Sequence, residues 1–331
     1  MDFAIEFRRY RLPFRQPVVT ARGTWTVREG VFIRLSAADG FVGYGEAAPV
    51  PHFGRDSVDR YEEACRALGG RIQSPEQVPA SLASLRGAIA SAMRRGEPNP
   101  RHRSLAIAAL LPAGRAALKV AAEKAEAGYR VFKWKVGVGA ADDELAIMDD
   151  ILGGLPGGSR LRLDANRAWP RRTAERWLSA ASERPVEFVE EPVSDEGDFK
   201  DLLLGLSRDY PVPLGLDESI SSDADVADWL GRGWKGFFVI KTALFGDVDA
   251  ALELLRVAQA RVVFSSALET ALGARDALLL AFSWAGRAYA LGYGAGPLFV
   301  DSRFDAIPPA PLLRHEDASR ISKEPLWNAV T

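Results

Sequence analysis

Charged side chains recur at a regular interval along the second half of this chain, at the ends of short apolar segments. Steps of 31, 26, 27 and 24 residues separate the members of this series, which are Lys133, Asp164, Glu190, Asp217 and Lys241. Each step is close to the length of one strand with its following helix, roughly 30 residues, so every charge falls at the same height on a successive strand. The carboxyl-terminal ends of parallel strands converge on one mouth in a closed barrel, whereas an open sheet spreads them along an edge. The series therefore favours a barrel with its functional site at that mouth.

Apolar and β-branched segments alternate with amphipathic stretches over the same region. Eight of these segments are candidate strands, at 105–110, 131–138, 160–165, 186–190, 212–216, 236–241, 261–265 and 288–293. The amphipathic stretches predict helices at 114–127, 142–151, 171–182, 223–231 and 247–260. Such alternation is typical of a parallel β/α architecture. Ionisable groups are unusual in strands that are buried on both faces, so the charged series needs a reason.

The first hundred residues have a different pattern. Apolar and polar residues alternate over 3–48, which predicts a small antiparallel sheet with a turn at Ala38-Asp39-Gly40. Its strands are expected at 4–8, 31–35 and 41–45. Residues 57–95 have helical periodicity, and Asp56-Ser57 is a candidate cap. The segment 94–103 contains two prolines and several arginines, which is typical of a solvated connection between domains.

The overall charge and the single cysteine exclude several classes of protein. Among 331 residues, 42 Lys and Arg face 44 Asp and Glu, so no basic field is present to attract nucleic acid or anionic lipid. Cys65 alone forms no intrachain disulfide or multi-cysteine metal site, and its helical context predicts a packed structural residue. The N-terminal segment carries charges foreign to a signal peptide, and no apolar run is long enough to cross a membrane. We therefore expect a cytoplasmic protein without nucleic-acid or membrane partners.

The three acidic residues of the series predict a metal site. Asp164, Glu190 and Asp217 would repel one another at a shared mouth unless a cation lay among them. Carboxylate ligands without histidine or cysteine suit a hard ion, so we expect Mg²⁺, or Mn²⁺ in its place. Surface salt bridges at strand ends are the alternative, and the repeat of the position on three successive strands argues against them.

The lysines complete the expected chemistry. Lys133 and Lys135 lie two apart in one strand and share a face, so the charge of Lys133 is expected to lower the pKa of Lys135. A lysine tuned in this way can abstract a proton, and Lys241 would stand across the barrel from it. With the metal ion, the set predicts proton abstraction alpha to a carboxylate group of a small-molecule substrate, with the metal stabilising the resulting enediolate.

The order of these motifs resembles that of the muconate-lactonizing subgroup of the enolase superfamily. The matching motifs are Lys-Trp-Lys at 133–135, Asp-Ala-Asn at 164–166, Glu-Glu-Pro at 190–192, Asp-Glu-Ser at 217–219 and Ile-Lys at 240–241. The resemblance implies an α/β fold, a modified TIM barrel of the (β/α)7β type with an N-terminal α+β capping domain. The cap would cover 1–100, completed by the tail 300–331, and the catalytic barrel would cover 101–299.

The same resemblance implies a role for each charged residue. The metal ligands would be Asp164, Glu190 and Asp217. The catalytic lysines would be Lys135 as the base, Lys133 as its neighbour and Lys241 on the opposite side. Glu191 and Glu218 lie outside the implied ligand set.

Within the superfamily, several stretches are similar to the o-succinylbenzoate synthase family. They are 12–17, 20–25, 28–30, 43–49, 161–169 and 264–270. That family dehydrates 2-succinyl-6-hydroxy-2,4-cyclohexadiene-1-carboxylate to 2-succinylbenzoate in menaquinone or phylloquinone synthesis. The resemblance implies that Lys135 removes the ring proton and then protonates the departing hydroxyl, while Lys241 faces the ring as a cation.

Substrate contacts are implied mainly at the end of the seventh strand. Ser265 and Ser266 would bind the succinyl carboxylate, helped by backbone amides after Gly292, although serines at a strand end can instead cap a helix. Asn166 is a further candidate for substrate contact. Lys241 is followed by Thr-Ala-Leu where the family commonly has proline, so the local backbone is expected to differ.

Two capping loops, 21–28 and 49–53, are expected to shape the pocket. His52 in the second loop is interpreted either as a lid residue or as a surface histidine.

Related activities remain open as alternatives. N-Succinylamino acid racemase would use the same metal and both lysines as bases, and muconate cycloisomerase is a more distant possibility. Dipeptide epimerases carry an Asp-x-Asp after strand eight, where this chain has Gly292-Tyr-Gly-Ala-Gly296. A nucleotide-binding fold is disfavoured because Gly137-Val-Gly139 lacks the third glycine of the dinucleotide fingerprint.

Overall fold

Two sheets, one antiparallel and one parallel, organise this chain. The computed structural model describes residues 2–20, 23–50, 56–195 and 197–330. Its strands are β1 (Phe3–Thr20), β2 (Gly23–Ser36), β3 (Val42–Ala47), β4 (Arg71–Ile72), β5 (Ser104–Ala106), β6 (Ala109–Leu111), β7 (Val131–Lys135), β8 (Arg160–Asp164), β9 (Val186–Glu190), β10 (Leu214–Leu216), β11 (Phe237–Ile240), β12 (Arg261–Phe264) and β13 (Leu312–Arg314). Its helices are α1 (Val58–Ala67), α2 (Ala83–Met93), α3 (Ala116–Glu126), α4 (Ala141–Gly154), α5 (Arg171–Ser182), α6 (Phe199–Asp209), α7 (Asp223–Gly231), α8 (Val248–Val257), α9 (Ala271–Ser283), α10 (His315–Ser319) and α11 (Lys323–Asn328). None of these helices is long and apolar enough to cross a membrane.

The N-terminal sheet is antiparallel with the order β3-β2-β1-β4, as the alternating pattern predicts. The turn at 38–40 is closed by the Gly40 amide, which donates to the Ala37 carbonyl over 3.0 Å. Ser57 caps α1, because its hydroxyl accepts the Arg60 amide. Helices α1 and α2 cover one face of the sheet and bury Tyr61, Leu85 and Ile89 against it.

Two glycines of β3 set how closely α2 approaches the sheet. A Cβ atom on Gly45 would lie 2.0 Å from the Ala88 carbonyl oxygen, and one on Gly43 would lie 1.9 Å from the Ala92 carbonyl oxygen. Both obstacles are backbone atoms, which cannot turn aside as a flexible side chain would. Alternation alone predicts this strand, but only the helix packed on it explains why glycine stands at both positions.

We expect Gly45→Ala to destabilise the protein, because the new methyl group forces α2 away from the sheet and overpacks the interface, at about 1–3 kcal/mol or more. Urea unfolding checks the free energy of unfolding. Gly153→Ala is the matched control: Gly153 lies in α4 with open space around its Cβ position, so alanine there raises stability by roughly 0.5–1 kcal/mol through helix propensity. Equal stabilities for Gly45→Ala and the parent would contradict the packing argument.

The seven parallel strands β6 to β12 form one sheet in chain order, with the helices α3 to α9 between and after them. Single parallel bridges close the sheet into a barrel, Ile107 with Leu291 and Ser265 with Gly292. The predicted barrel is therefore confirmed. Its interior is filled by Phe188, Phe237, Val239 and Val263.

Strands β1 and β2 extend well beyond the predicted 4–8 and 31–35, and two of the predicted barrel strands differ from the structure in more than their ends. Segment 105–110 divides into β5, which pairs antiparallel with β13, and β6, which enters the barrel. Segment 288–293 contributes only the two bridges that close the barrel. Glycines let the backbone come close to its neighbours at and just after this segment: a Cβ on Gly292 would meet the Ser265 hydroxyl at 2.4 Å, and one on Gly294 would meet the Ala108 carbonyl at 2.2 Å. The backbone touches its neighbours here without forming a full ladder.

The C-terminal segment packs against the N-terminal sheet. The Arg8 guanidinium in β1 donates to the carbonyls of Trp327 and Val330 over 2.8 and 2.7 Å and stacks on the Trp327 ring. Phe14 of β1 forms an antiparallel bridge with Phe299. The completion of the cap by the tail and the boundary near residue 100 both stay predictions.

Cys65 lies buried in α1 among the residues that pack on the N-terminal sheet. Burial raises the pKa of its thiol to about 12. Since the thiolate is the reactive form, we expect native protein to resist a disulfide reagent at neutral pH and unfolded protein to react at once. Absorbance of the released thiolate measures this for the one cysteine of the chain. Equal rates in the two states would contradict the buried position.

Candidate active site

The carboxyl-terminal ends of β7 to β11 bring the charged series together. Lys135 pairs in register with Asp164, and Asp164 pairs with Glu190. Gly215 pairs with Glu190, so Asp217 follows two residues beyond on the next strand. The three carboxylates are buried, with Asp164, Glu190 and Asp217 exposing 8%, 1% and 4% of their surface. Successive strands thus carry the acids at neighbouring heights, as the spacing predicts.

Lysine ammonium groups lie among these acids. The Nζ atom of Lys133 is 2.9 Å from Oδ2 of Asp164 and 2.7 Å from Oε1 of Glu190, and Lys241 is ion-paired with Asp217. Burial acts to lower the pKa of Lys133, but the facing carboxylates outweigh it and hold the pKa well above its usual value. The pKa of Lys241 is raised for the same reason, with Asp217 as the main opposing charge. Both lysines are therefore held as cations at the mouth.

The acids respond to the same surroundings in opposite directions. Burial raises the pKa of Glu190 well above its ordinary value, and the negative charges of Asp164 and Asp217 add to this despite Lys133. Burial also acts to raise the pKa of Asp217, but Lys241 and Lys133 prevail and lower it. At Glu190, therefore, the nearby lysine does not fully compensate the buried negative charge.

Among the described residues, no three acidic, histidine or cysteine side chains stand close enough together to hold a metal ion. Lys133 and Lys241 lie against oxygens of all three acids instead. The donor set nevertheless fits Mg²⁺: three buried carboxylates on neighbouring strands supply oxygen ligands only. The described part of the chain also leaves Oδ1 of Asn166 and Oε2 of Glu218 buried beside this set without a hydrogen-bond partner. Ligand roles for Asp164, Glu190 and Asp217 stay a prediction.

Lys135 is placed by the pleat of β7. It shares a face with Lys133, while Trp134 between them points the other way into the core formed with the outer helices. Lys135 is half-buried, and its strand partner is Asp164. The geometry brings it to the mouth, and its role as the base stays a prediction.

Asn166 and Glu218 form a polar pair beside the acids. The side-chain amide of Asn166 donates to Oε1 of Glu218 over 2.9 Å, and the Asn166 backbone amide donates to Oδ1 of Asp164 over 3.1 Å. Burial, with Asp217 and Glu191 as negative neighbours, raises the pKa of Glu218 to about 7. The predicted substrate contact of Asn166 is untested, and in this structure its amide group orients Glu218.

The predicted substrate residues after β12 are engaged with the protein itself. The Ser265 hydroxyl donates to the Gly292 carbonyl over 3.3 Å, and the Ser266 hydroxyl donates to Oε2 of Glu269 over 3.0 Å. The Gly292 amide donates to the Phe264 carbonyl over 2.8 Å and so serves barrel closure. Contact of these groups with substrate stays a prediction.

The loop that follows β12 is also supported by groups that the sequence patterns did not single out. Glu269 is buried and accepts hydrogen bonds from the Tyr293 hydroxyl and the Ala267 amide, over 2.9 and 2.5 Å. Burial raises the pKa of Glu269. Nothing in the mixed sequence of residues 264–270 indicates that Glu269 is enclosed.

The cap reaches the barrel mouth through two buried charged residues. Arg28 donates to the carbonyls of Ala48, Pro49 and Ala267, which joins both capping loops to the loop after β12. Glu46 accepts hydrogen bonds from the Thr270 and Gly273 amides at the start of α9. A carboxylate is favoured at a helix N-terminus, and this contact fixes β3 against the barrel. Sequence reasoning assigned neither residue a role.

Further expectations concern the two capping loops and the segment after Lys241. His52 and its neighbours 51–55 lie outside the described residues, as do residues 21 and 22 of the other capping loop. After Lys241, Thr242–Leu244 form one turn of 3₁₀-helix. The replacement of proline thus coincides with a tight turn directly behind the lysine.

The fold and the site define the class of protein. A closed parallel barrel beside an antiparallel capping sheet, with acids and lysines at successive strand ends, is the arrangement of enolase-type enzymes. Residues 116–281 match the family described as enolase C-terminal domain-like, and residues 4–91 match the family described as MenC, N-terminal domain.

Within that class, the chain belongs to the o-succinylbenzoate synthase family. The o-succinylbenzoate synthase of Thermosynechococcus vestitus is 40% identical over 298 residues, covering 87% of this chain and 91% of the relative. That of Edwardsiella ictaluri is 29% identical over 276 residues, covering 80% and 82%. A crystal structure of the Thermosynechococcus elongatus enzyme with magnesium in its active site matches with a TM-score of 0.82 and 38% identity, covering 99% and 100% of the two chains. The predicted family and the enolase-like fold are confirmed.

More distant structures share the fold alone. The L-Ala-D/L-Glu epimerase of Bacillus subtilis matches with a TM-score of 0.82 at 20% identity over 94% of this chain and 95% of its own. The N-succinyl Arg/Lys racemase of Bacillus cereus matches with a TM-score of 0.79 at 17% identity over 100% and 98%. One scaffold thus carries several activities, and the residues at the mouth decide among them.

Proposed function

We propose that this chain dehydrates 2-succinyl-6-hydroxy-2,4-cyclohexadiene-1-carboxylate to 2-succinylbenzoate, a hydro-lyase reaction of menaquinone or phylloquinone synthesis. Family membership over nearly the whole chain supports the substrate class. One observation supports the chemistry most directly. The ends of β7 and β11 each carry a lysine, and they lie on either side of three buried carboxylates. This arrangement supplies a base, a fixed cation and a cation-binding acid cluster around one substrate.

Lys135 acts as the acid and base in this proposal. Its neutral amine removes the ring proton alpha to the substrate carboxylate, and the electron pair of that C–H bond enters the ring. The C–O bond to the ring hydroxyl then breaks, and the Lys135 ammonium returns its proton to the departing oxygen, which leaves as water. Atoms balance, since the substrate loses one hydrogen and one hydroxyl and the lysine ends as it began.

The other charged residues hold the substrate and the developing charge. Lys241 is held as a cation by Asp217 and faces the ring across the barrel from Lys135, where a cation–π contact is favourable. Lys133, held charged by Asp164 and Glu190, presents a second cation beside the base. Ser265 and Ser266 are proposed to receive the succinyl carboxylate, with backbone amides after Gly292.

Asp164, Glu190 and Asp217 would hold Mg²⁺, which stabilises the negative charge that develops on the substrate carboxylate. The chain shields this site from water, because all three acids are buried. The Thermosynechococcus elongatus structure holds magnesium in its active site. Mn²⁺ would satisfy the same oxygen ligands.

N-Succinylamino acid racemisation is the second candidate. Its supporting observation is that lysines approach the mouth from β7 and from the end of β11, as a two-base exchange of one alpha proton requires. The lysine pair therefore serves either reaction, and substrate tests must separate them.

The deciding experiment follows the absorbance of the cyclohexadiene substrate with purified chain, with and without Mg²⁺, after removal of bound metal. Polarimetry with N-succinyl amino acids runs beside it. We expect dehydration that depends on Mg²⁺. Racemisation without dehydration would overturn the first candidate, and dehydration unaffected by metal removal would overturn the role of the acids.

We further propose that residues 1–100 with 300–331 form the cap and 101–299 the catalytic barrel, and that the enzyme works in the cytoplasm. The cap assignment is supported by the contacts of Arg8 with the C-terminal segment and of Arg28 with the loop after β12. Membership in a biosynthetic enzyme family supports the compartment.

A further inference from the structure

Glu191 is a buried carboxylate that the mechanism above does not use. It follows Glu190 directly at the end of β9 and exposes none of its surface. Its φ angle of 42° is left-handed, and so are the φ angles of Asn166 at 43° and Arg167 at 62° on the neighbouring loop. Non-glycine residues hold such angles only where surrounding contacts determine them. The loops that carry the acids are therefore fixed by specific partners.

Four hydrogen-bond donors converge on the Glu191 carboxylate. Its Oε1 accepts the backbone amides of Asp217 and Ser219 over 2.8 and 2.7 Å. Its Oε2 accepts the Ser219 hydroxyl over 2.8 Å and Nε of Arg167 over 3.0 Å. Arg167 also donates to the Ser219 hydroxyl oxygen over 3.0 Å, which closes a ring of contacts. A buried charge satisfied on both oxygens is held in one orientation.

This ring joins the three loops that carry the acids. Arg167 lies on the loop after β8, which begins behind Asp164, and its backbone amide donates to the Glu191 carbonyl over 2.7 Å. The Glu191 backbone amide donates to the Gly215 carbonyl in β10 over 3.0 Å. Asp217 and Ser219 lie on the loop after β10. One side chain thus spans the ends of three successive strands.

We propose that Glu191 is a positioning residue: through the backbone amides of Asp217 and Ser219 and through Arg167, it holds the loop bearing Asp217 in register with Glu190 and Asp164, so that the three acids share one divalent cation. The inference rests on the proposed function, because it assigns Glu191 to the metal site proposed there. Hydrogen-bond partners of metal ligands set ligand orientation, and their loss weakens metal affinity by about 10–100-fold.

The side chain is well suited to this task because it reaches backbone rather than side-chain atoms of Asp217. The Asp217 carboxylate is left for Lys241 and for the cation. Glutamine in place of Glu191 keeps the shape but presents an NH₂ group to one of its donors, and aspartate keeps the charge but is one methylene too short to span Asp217 and Ser219. The two variants therefore disturb the ring for different reasons.

The test measures Mg²⁺ binding to the purified chain by calorimetry, independently of turnover. We expect Glu191→Gln and Glu191→Asp each to weaken Mg²⁺ affinity by about 10–100-fold, with dehydration at saturating Mg²⁺ recovering much of the parent kcat. Glu46→Gln is the matched control, since Glu46 is another buried carboxylate that accepts two backbone amides. It should lose stability while its Mg²⁺ affinity stays unchanged.

The possible results separate the positioning role of Glu191 from a purely structural one. Parent affinity in folded Glu191→Asp or Glu191→Gln overturns the positioning role, as does equal weakening in Glu46→Gln. Should the glutamine variant fail to fold, the aspartate variant, which keeps the charge facing Arg167, decides alone. A parent chain that binds no Mg²⁺ would overturn the proposed function itself, which separates that failure from the failure of this inference.

Discussion

Replacing Lys135 by alanine is expected to lower kcat for dehydration by about 10⁴-fold, the upper range for loss of a general acid and base. The size of the effect follows from two uses of one amine, since the same group removes the ring proton and then protonates the leaving hydroxyl. Lys133 cannot take over, because two carboxylates hold it as a cation. Absorbance of the cyclohexadiene substrate measures the loss, with KM expected to change little.

The control for this variant is Lys119→Ala. Lys119 lies exposed on α3, where it pairs only loosely with Glu123 at 3.8 Å, so parent activity is expected. Mg²⁺ binding should be retained in Lys135→Ala, because the implied ligand set does not include this lysine. Retained dehydratase activity in a folded Lys135→Ala enzyme would contradict the assignment of the base.

Local patterns in the sequence account for much of the fold. Helices α5 and α7 begin and end where the amphipathic stretches predict, at Arg171–Ser182 and Asp223–Gly231. The carboxyl-terminal ends of parallel strands in a barrel meet at one mouth. The regular spacing of Asp164, Glu190 and Asp217 therefore predicts from the chain alone that these acids converge. The period of the pattern carries this information because each β/α unit repeats the same geometry.

Contacts between distant segments could not be anticipated in this way. Glu46 and Thr270 are 224 residues apart, and Arg28 and Ala267 are 239 apart, so neither partner is marked by any local pattern. The predicted strand at 288–293 is reduced to two bridges, and the close approach of Gly292 to Ser265 there is defined only by the closed barrel. Glu191 belongs with these cases: next to Glu190 it looks like a duplicate acid, and its role emerges only from the donors that surround it.

Sequence patterns give salt bridges at the strand ends only as a surface alternative, whereas the structure buries the ion pairs, and this has a physical consequence. Spacing predicts that three acids need a cation, and the structure places Lys133 and Lys241 against them. Ammonium groups can offset buried carboxylates, but each is a point charge fixed to its own side chain. A divalent ion can instead bind all three acids at once. We therefore expect the metal-free chain to remain folded and to gain stability when Mg²⁺ binds.

Glu190→Gln is expected to weaken Mg²⁺ affinity by more than about 100-fold, beyond the usual effect of a neighbouring hydrogen-bond partner, and to abolish dehydration. Glu190 is the central acid of the three, paired in register with Asp164 on one side and with Gly215, two residues before Asp217, on the other. Its amide replacement removes one charge from the middle of the cluster. Calorimetry measures the affinity, and the absorbance assay measures turnover.

Thermal unfolding separates loss of the ion from loss of the fold. A ligand at 100 times its dissociation constant stabilises the native state by about 2.7 kcal/mol, so the parent should melt higher in Mg²⁺, and Glu190→Gln should melt at one temperature with or without it. Glu123→Gln, at an exposed position on α3, should respond to Mg²⁺ as the parent does. A Glu190→Gln protein that still gained stability at the Mg²⁺ concentration that stabilises the parent would show that the ion binds elsewhere. No other residue is changed in this variant, and Asp164 and Asp217 alone offer a weaker site.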